Sequence, residues 1–218
     1  MYDYRGIDGT GTRANPASGS NAVSYTIRKL ADGNCWMSEN LKLTLSTSHA
    51  YEVATFSGGT TSWTPNSGSG EVYDVAINGN TKANISVNGR NEWYYPWYAA
   101  TAGQGTQSMA SGEVTVSICP KGWRIPSSVG NLSYDNLVTT IYSITTYSAI
   151  QSVPVSFVGS GVYQGGNLNV KTYGCYWAST AHDASSADFL YFVSPNTIYT
   201  VNNYDKRFGI NMRCVAIP

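Results

Sequence analysis

Apolar and polar residues alternate in short runs along most of this chain, a pattern that favours half-buried β-strands over long helices. Residues 25–30 alternate in this way, and an Asp32-Gly33 pair separates them from the apolar run at residues 35–37. An Asp-Gly pair between two such runs favours a hairpin, because both residues tolerate the backbone angles of a tight turn. The pattern therefore predicts an early β-hairpin.

Two stretches favour helices instead. Ser133 is expected to act as the N-cap of a helix with an apolar stripe. Residues 97–102 are predicted to form a short helix that ends at Gly103. The stripe that follows Ser133 consists of Leu137, Val138, Ile141 and Ile144.

The remaining pattern indicates short strands and long loops. Residues 44–70 are polar and are expected to be mostly loop, whereas the chain from residue 153 onward is predicted to form strands with Gly-rich turns. These strands are expected at residues 155–158, 168–172, 188–193, 197–201 and 210–217. Two or three helices against antiparallel strands make an α+β fold. No linker divides the chain, so we expect a single domain over residues 1–218.

Composition narrows the class of partner. Only 12% of residues are charged and the formal net charge is zero, so electrostatics gives no reason to expect nucleic acid or an anionic membrane. The chain has 17 tyrosines and 22 glycines, which suit strands and long loops on an extracellular protein. No apolar run is long enough for a membrane span. We expect membrane association only through an anchor that lies outside this sequence.

The four cysteines, Cys35, Cys119, Cys175 and Cys214, form no CxxC pair, which argues against zinc and thioredoxin-like sites. An even number in a chain of this composition is typical of two disulfides. The alternative is four reduced thiols that pack as small apolar groups. Four cysteines allow three pairings, and spacing alone does not choose among them.

Four motifs follow one another along the chain. They are Asp-Gly-Asn-Cys-Trp-Met-Ser-Glu-Asn-Leu at residues 32–41, Ile-Cys-Pro-Lys-Gly-Trp-Arg-Ile-Pro-Ser at 118–127, Tyr-Trp-Ala-Ser-Thr at 176–180 and Arg-Cys-Val at 213–215. Together they resemble the Fibrobacter succinogenes major paralogous domain, a bacterial extracellular family. That family is similar to the formylglycine-generating-enzyme type of C-type lectin fold.

The resemblance spans residues 32–215 and implies a C-type lectin-like fold in which early and late strands pair in a core sheet. It also implies a disulfide between Cys119 and Cys214, since typical members keep those two positions. Cys35 and Cys175 would then be the remaining pair.

Members of this fold family serve as variable proteins of diversity-generating retroelements. In those proteins adenine-directed mutagenesis rewrites a C-terminal segment, and the favoured AAY codons exclude Lys, Gln, Glu, Met and Trp. Residues 178–205 contain none of these five types. The resemblance therefore implies a variable ligand-binding region at residues 181–208. Lys206 departs from the rule and is expected to belong to the framework.

The residue types in this region fit a binding surface. Tyrosine gives rigid contact area at low entropic cost, and Ser and Asn give adaptable hydrogen bonds. The alternative is a β-hairpin with ordinary solvated loops. Three tryptophans of the motifs, Trp36, Trp123 and Trp177, are expected in the core. The predicted ligand-binding residues are His182, Asp183, Ser185, Ser186, Asp188, Tyr191, Asn196, Asn202, Asn203, Tyr204 and Asp205.

The sequence offers little for catalysis. It contains no HExxH, P-loop or GxGxxG motif. His182 and Asp183 are two of the three residue types of a catalytic triad. Adjacent loop residues rarely have triad geometry, however, and a surface pair is expected. No catalytic residue, cofactor or metal ligand is predicted. A structural calcium ion held by loop carbonyl oxygens stays open as an alternative.

We therefore expect a non-enzymatic, extracellular or cell-surface protein that displays a variable binding surface for a protein or glycan on another cell or phage. Two alternatives make different predictions. A structural or adhesive envelope domain would have Tyr191 and Tyr204 buried or scattered. A relative of the formylglycine-generating enzymes would carry a reactive thiol.

Overall fold

Short antiparallel strands make up most of the regular structure in a computed structural model of the chain. The structure describes residues 1–46, 48–65, 85–87, 90–106, 108–164, 167–169 and 173–218. The strands are β1 (Tyr2–Asp3), β2 (Val23–Ser24), β3 (Ile27–Lys29), β4 (Cys35–Met37), β5 (Tyr51–Thr55), β6 (Thr60–Trp63), β7 (Ile85–Val87), β8 (Arg90–Glu92), β9 (Gly112–Glu113), β10 (Val116–Ser117), β11 (Trp123–Arg124), β12 (Val162–Gln164), β13 (Asn167–Asn169), β14 (Tyr173–Ala181), β15 (Ser186–Val193), β16 (Thr197–Asp205) and β17 (Val215–Ala216).

The described helices are few and short, so the fold is consistent with the predicted α+β class. They are a 3₁₀ turn (Gly19–Asn21), α1 (Trp97–Ala100), a π-helical segment (Asn136–Ile141) and α2 (Tyr147–Gln151). Helix α1 lies where it was predicted, and Gly103 just beyond it has a positive φ of 81°. The Ser133 hydroxyl accepts a hydrogen bond from the backbone N–H of Asn136 at 3.0 Å, which confirms its capping role.

The first four-stranded sheet carries three of the sequence motifs, in the order β11-β17-β4-β3. The predicted hairpin is confirmed by the pairing of β3 with β4, and Gly33 in its turn has a φ of 83°. Strand β17 pairs with β4 through Val215 and Trp36, so an early and a late strand meet. Cys119 and Cys214 precede the paired strands β11 and β17 and are joined by a disulfide.

The second predicted disulfide is wrong, because Cys35 and Cys175 are both free thiols. Cys35 lies on β4 opposite Lys29, whereas Cys175 lies on β14 opposite Tyr191. These two strands belong to different sheets. The backbone hydrogen bonds of each sheet hold one of the two cysteines in place. Each thiol therefore packs as a small apolar group and forms no disulfide with the other.

The second four-stranded sheet has the order β16-β15-β14-β9 and is apolar on both faces. Residues 173–179 of β14 are all buried. Trp177 and Phe189 point into one core cluster, whereas Tyr176 and Phe192 point into another. Leu137, Val138 and Ile150 from the π-helical segment and α2 complete this second cluster. The sheet is therefore a rigid platform packed from two sides.

Two expectations about secondary structure are corrected. Residues 44–70 include the hairpin of β5 and β6, whose inward-facing Tyr51 and Val53 are buried. Residues 155–158 form no strand, because the carbonyl groups of Val155 and Ser156 accept hydrogen bonds from the buried Arg213 instead. The predicted strand at 168–172 lies partly outside the described residues.

Candidate functional site

A group of aromatic rings occupies one face of β14, β15 and β16, and we call it the tyrosine face. It consists of Tyr173, Tyr191, Tyr199, Tyr204 and Phe208. Cross-strand pairing places Tyr191 opposite Tyr199, with ring centroids 6.3 Å apart and nearly parallel planes. Tyr173 lies 5.8 Å from Tyr191, and Phe208 lies 4.9 Å from Tyr204. The face therefore joins side chains from three strands and the turn after β16.

Phe189 links the two halves of the tyrosine face from below. Its ring centroid lies 6.0 Å from Tyr191 and 5.6 Å from Tyr204. Trp177 lies underneath it at 6.2 Å and donates its ring N–H to the Tyr95 carbonyl at 2.7 Å. Such edge-to-face and stacked pairs stabilise one arrangement of the rings. The floor of the tyrosine face is consequently fixed by the core.

The exposure of the rings decreases across the face. Tyr199 is 53% exposed, Tyr191, Tyr204 and Phe208 are partly buried, and Tyr173 is 9% exposed. Burial raises the pKa of Tyr191 and of Tyr204, and the neighbouring Cys175 adds to the effect. The phenol groups are therefore neutral donors at physiological pH, which suits contact with a partner by both ring and hydroxyl.

The turn between β14 and β15 is ordered by Asp183. Its carboxylate accepts hydrogen bonds from the backbone of Ser186 and Ser185, both at 2.7 Å, and from the Ser185 hydroxyl at 2.9 Å. Hydrogen bonds from Ser186 and Ser185 hold the pKa of Asp183 far below its ordinary value. His182 does not pair with Asp183, since its Nδ1 lies 3.1 Å from the carboxylate of Asp188. This arrangement is an ordered turn in which His182 and Asp183 have different partners.

Polar residues of β16 and its turns surround the aromatic rings. Asn202 lies opposite Phe189 and accepts a hydrogen bond from the backbone of Asn203. Asn196 is exposed in the turn before β16. Asp205 pairs with Arg207; burial would raise the pKa of Asp205, but the hydrogen bonds from Arg207 lower it. These groups supply adaptable hydrogen bonds around the apolar centre.

Lys206 belongs to the framework, as the sequence predicted. Its side chain is buried, and its ammonium group lies 4.9 Å from the centre of the Trp97 ring. It donates to the carbonyl oxygens of Thr106, Met109, Asp183 and Ala184 at 2.7–3.3 Å. Lys206 thereby ties the β14–β15 turn to the loop after α1.

The predicted ligand-binding residues divide into three groups by exposure. His182, Asp183, Ser185, Asn196 and Asn203 are exposed, and Tyr191, Asn202, Tyr204 and Asp205 are partly buried. Ser186 and Asp188 do not reach the surface, being only 6% exposed, because they lie on the inner strand β15.

Tyr199 was missed although it is the most exposed ring of the face, and so were Tyr173 and Phe208. The partners of these residues depend on strand register, which composition does not reveal. The high tyrosine content of residues 173–204 could have indicated that these rings belong to one surface.

Of the two free thiols, Cys175 is buried and Cys35 is partly exposed. Burial raises the pKa of Cys175 well above its ordinary value, which keeps this thiol protonated. Within the described parts of the chain, no His, Cys, Asp and Glu side chains are grouped as a metal site. Across the same residues, no helix has the length and apolar character needed to cross a bilayer.

Comparison of the chain with protein-family models, curated proteins and solved structures gives no match.

Proposed function

We propose that this chain is a non-enzymatic binding protein and that the tyrosine face is its ligand surface. The observation that carries this proposal is the continuous contact of Tyr173, Tyr191 and Tyr199 across three strands, next to Tyr204 and Phe208. Tyrosines on a rigid support lose little conformational entropy on binding, and the surrounding Asn and Ser groups adapt to different partners. A structural envelope domain with scattered or buried tyrosines fits this arrangement less well.

The finer proposal is a C-type lectin-like scaffold of the formylglycine-generating-enzyme type, used as the variable protein of a diversity-generating retroelement. Three features support it: the pairing of β4 with β17, the disulfide that joins Cys119 to Cys214, and the framework role of Lys206. We further propose an extracellular or cell-surface location, with which a disulfide is compatible. The partner would be a protein or glycan on another cell or phage.

Sequencing of the locus tests the retroelement directly. We expect a reverse-transcriptase gene and a near-copy of the 3′ end of this gene that differs from it at adenines. The differing codons should fall on exposed or partly buried positions such as Tyr199, Asn202 and Asn203, and should spare Lys206 and Phe189. A locus without these two elements would refute the retroelement proposal and leave the binding proposal to the next test.

Two surface-display libraries test the binding surface. One diversifies Tyr191, Tyr199, Asn202 and Tyr204, and the control diversifies the exposed residues Asn15, Ser18, Ser20 and Lys121. Both are selected against the same purified glycoproteins. We expect folded members in both libraries and specific binders mainly in the first. Equal enrichment in the two libraries, or general unfolding of the first, would contradict the assignment.

A further inference from the structure

A second concave surface lies apart from the tyrosine face. It is a cleft of about 710 Å³ between the segment that follows β4 and the loop that follows α2. Ser38, Glu39, Asn40 and Lys42 line one side, and Gln151 with residues 156–158 lines the other, next to Glu92 and Trp93. None of the rings of the tyrosine face contributes to it. Its volume lies within the range of about 300–1,000 Å³ that is usual for small-molecule sites.

A buried polar network forms the base of this cleft. The Arg213 guanidinium donates to the side-chain oxygen of Asn40 at 3.1 Å and to the Ser156 carbonyl at 3.0 Å. The Asn40 amide in turn donates to the Glu92 carboxylate at 2.7 Å. Arg213 is 1% exposed, and Asn40 and Glu92 are each 5% exposed. The orientation of the Asn40 amide is consequently fixed from both ends.

Such a network is costly to bury, because charged groups lose hydration on leaving water. Arg213 also keeps a buried Nε–H with no acceptor among the described residues. A purely apolar filling would stabilise the same position at least as well. The arrangement fixes the polar residues beneath the cleft, and the partly exposed side chains of Ser38, Glu39, Lys42 and Gln151 offer donors and acceptors to it, which is the property of a preorganised binding site.

The charged side chains that line the cleft, Glu39, Lys42 and Glu92, are each held by a neighbouring side chain. Glu39 and Lys42 form an ion pair at 2.8 Å near the surface, and Glu92 and Arg213 supply one charge of each sign at the base. Burial would raise the pKa of Glu39, but hydrogen bonding to Lys42 lowers it, so the carboxylate remains an acceptor at neutral pH. Trp93 and Phe157 also line the cleft, but they are only 5% and 1% exposed, so its accessible groups are mainly polar. This site favours no ionic ligand and offers donors and acceptors at many points.

We infer that the cleft binds a neutral saccharide of two or three units. Carboxylate, amide and hydroxyl groups exchange hydrogen bonds with adjacent hydroxyl groups of a sugar, and the partly exposed Ser38, Glu39 and Gln151 present such groups at the cleft. The inference is independent of the tyrosine face, because the two sites share no residue.

Saturation-transfer NMR with maltotriose, cellotriose and chitotriose at millimolar concentration tests the inference on the whole chain. We expect transfer to at least one of these sugars. Glu39→Gln, which keeps the shape of the cleft but removes a charged acceptor, should weaken binding by roughly tenfold. Gln151→Trp should abolish the signal by filling the cleft.

Two control variants make the outcome decisive. Gln164→Trp changes an exposed glutamine that does not line the cleft and should leave binding unchanged. Tyr199→Ala should also leave it unchanged. The inference is overturned if folded wild-type protein shows no transfer to any of the three sugars. It is equally overturned if Gln151→Trp binds normally, or if Tyr199→Ala rather than Glu39→Gln removes the signal, which would place the sugar on the tyrosine face.

Discussion

At the scale of single residues, buried polar groups and exposed aromatic rings depart from the usual distribution. Lys206 is 2% exposed, whereas Tyr199 is 53% exposed. A buried ammonium persists only where hydrogen bonds replace its hydration, and Lys206 donates to four carbonyl groups within the described part of the chain. The exposed ring of Tyr199, by contrast, contributes little to the packing of the core. The two residues should therefore respond to substitution in opposite ways.

Lys206→Met should lower the free energy of unfolding by about 2–4 kcal/mol, because four carbonyl groups lose a charged donor. Chemical denaturation measures the loss. The neighbouring Arg207→Met is the matched control; it removes the partly exposed ion pair with Asp205 and should cost about 1 kcal/mol or less. Similar losses for the two variants would contradict the framework role of Lys206.

Tyr199→Ala should change stability by about 1 kcal/mol or less, since among the described residues the ring stacks only on Tyr191, and it is 53% exposed. Phe189→Ala should cost about 3–5 kcal/mol, because this buried ring contacts Trp177, Tyr191 and Tyr204. Thermal and urea unfolding compare the two. A large loss for Tyr199→Ala would mean that this ring is structural.

At the scale of elements, the disulfide and the backbone hydrogen bonds of the first four-stranded sheet hold the same two strands, β11 and β17, together. Cys119 and Cys214 are 95 residues apart in sequence, and each lies just before one of the paired strands β11 and β17. A cross-link over such a long loop removes many conformations from the unfolded chain. The free thiols Cys35 and Cys175 contribute no such constraint.

Cys214→Ser should therefore cost roughly 2–5 kcal/mol. Cys35→Ser is the control on the same sheet and should cost about 1 kcal/mol or less, because Cys35 is partly exposed and unbridged. Urea unfolding under identical conditions compares them. An unchanged midpoint for Cys214→Ser would show that the bond contributes little.

Thiol counting checks the corrected pairing. We expect one thiol, that of Cys35, to react readily with a disulfide reagent in the native protein, since Cys175 is buried. Two thiols should react in denaturant, and four after reduction. If no thiol reacts in denaturant, the predicted disulfide between Cys35 and Cys175 is present after all. Rapid reaction of Cys175 in the native state would contradict its burial.

Sequence reasoning succeeded where the signal was local. The Asp32-Gly33 turn and the Ser133 cap depend on neighbours a few residues away, and both are present. It failed where partners lie far apart. The interaction of Asn40 with Arg213 joins residues 173 positions apart, so the cleft was not foreseen. Ser186 and Asp188 are buried on β15, an inner strand between β14 and β16, and that position depends on sheet order rather than on composition.

At the scale of the whole molecule, tyrosines attach irregular segments to the core. The Tyr95 hydroxyl donates to the Leu43 carbonyl at 2.9 Å, and the Tyr134 hydroxyl to the Trp177 carbonyl at 3.2 Å. Tyr176 donates to the carbonyl of Val158 in the same way. Each ring fills space in the core while its hydroxyl satisfies a backbone carbonyl. Three of the 17 tyrosines thus satisfy the carbonyl groups of Leu43, Val158 and Trp177.

The same design predicts an alkaline limit to stability. Burial raises the pKa of Tyr51 and of Tyr176 to about 12, whereas an unfolded tyrosine ionises near pH 10. Above about pH 10 the unfolded chain binds fewer protons than the folded one, so the free energy of unfolding falls as pH rises through this window. The stabilising contribution is complete below about pH 10.

Phenolate absorbance and circular dichroism, followed together from neutral pH upward, measure this limit. We expect the partly exposed tyrosines to ionise first, and the buried ones only as the dichroism of the fold is lost. Urea is first added to the more stable of the two proteins, wild type or Tyr51→Phe, until both have the same free energy of unfolding at neutral pH. Under these conditions Tyr51→Phe should unfold at a higher pH than the wild type. Ionisation of every tyrosine near about pH 10 with the fold intact would contradict the burial that raises these pKa values.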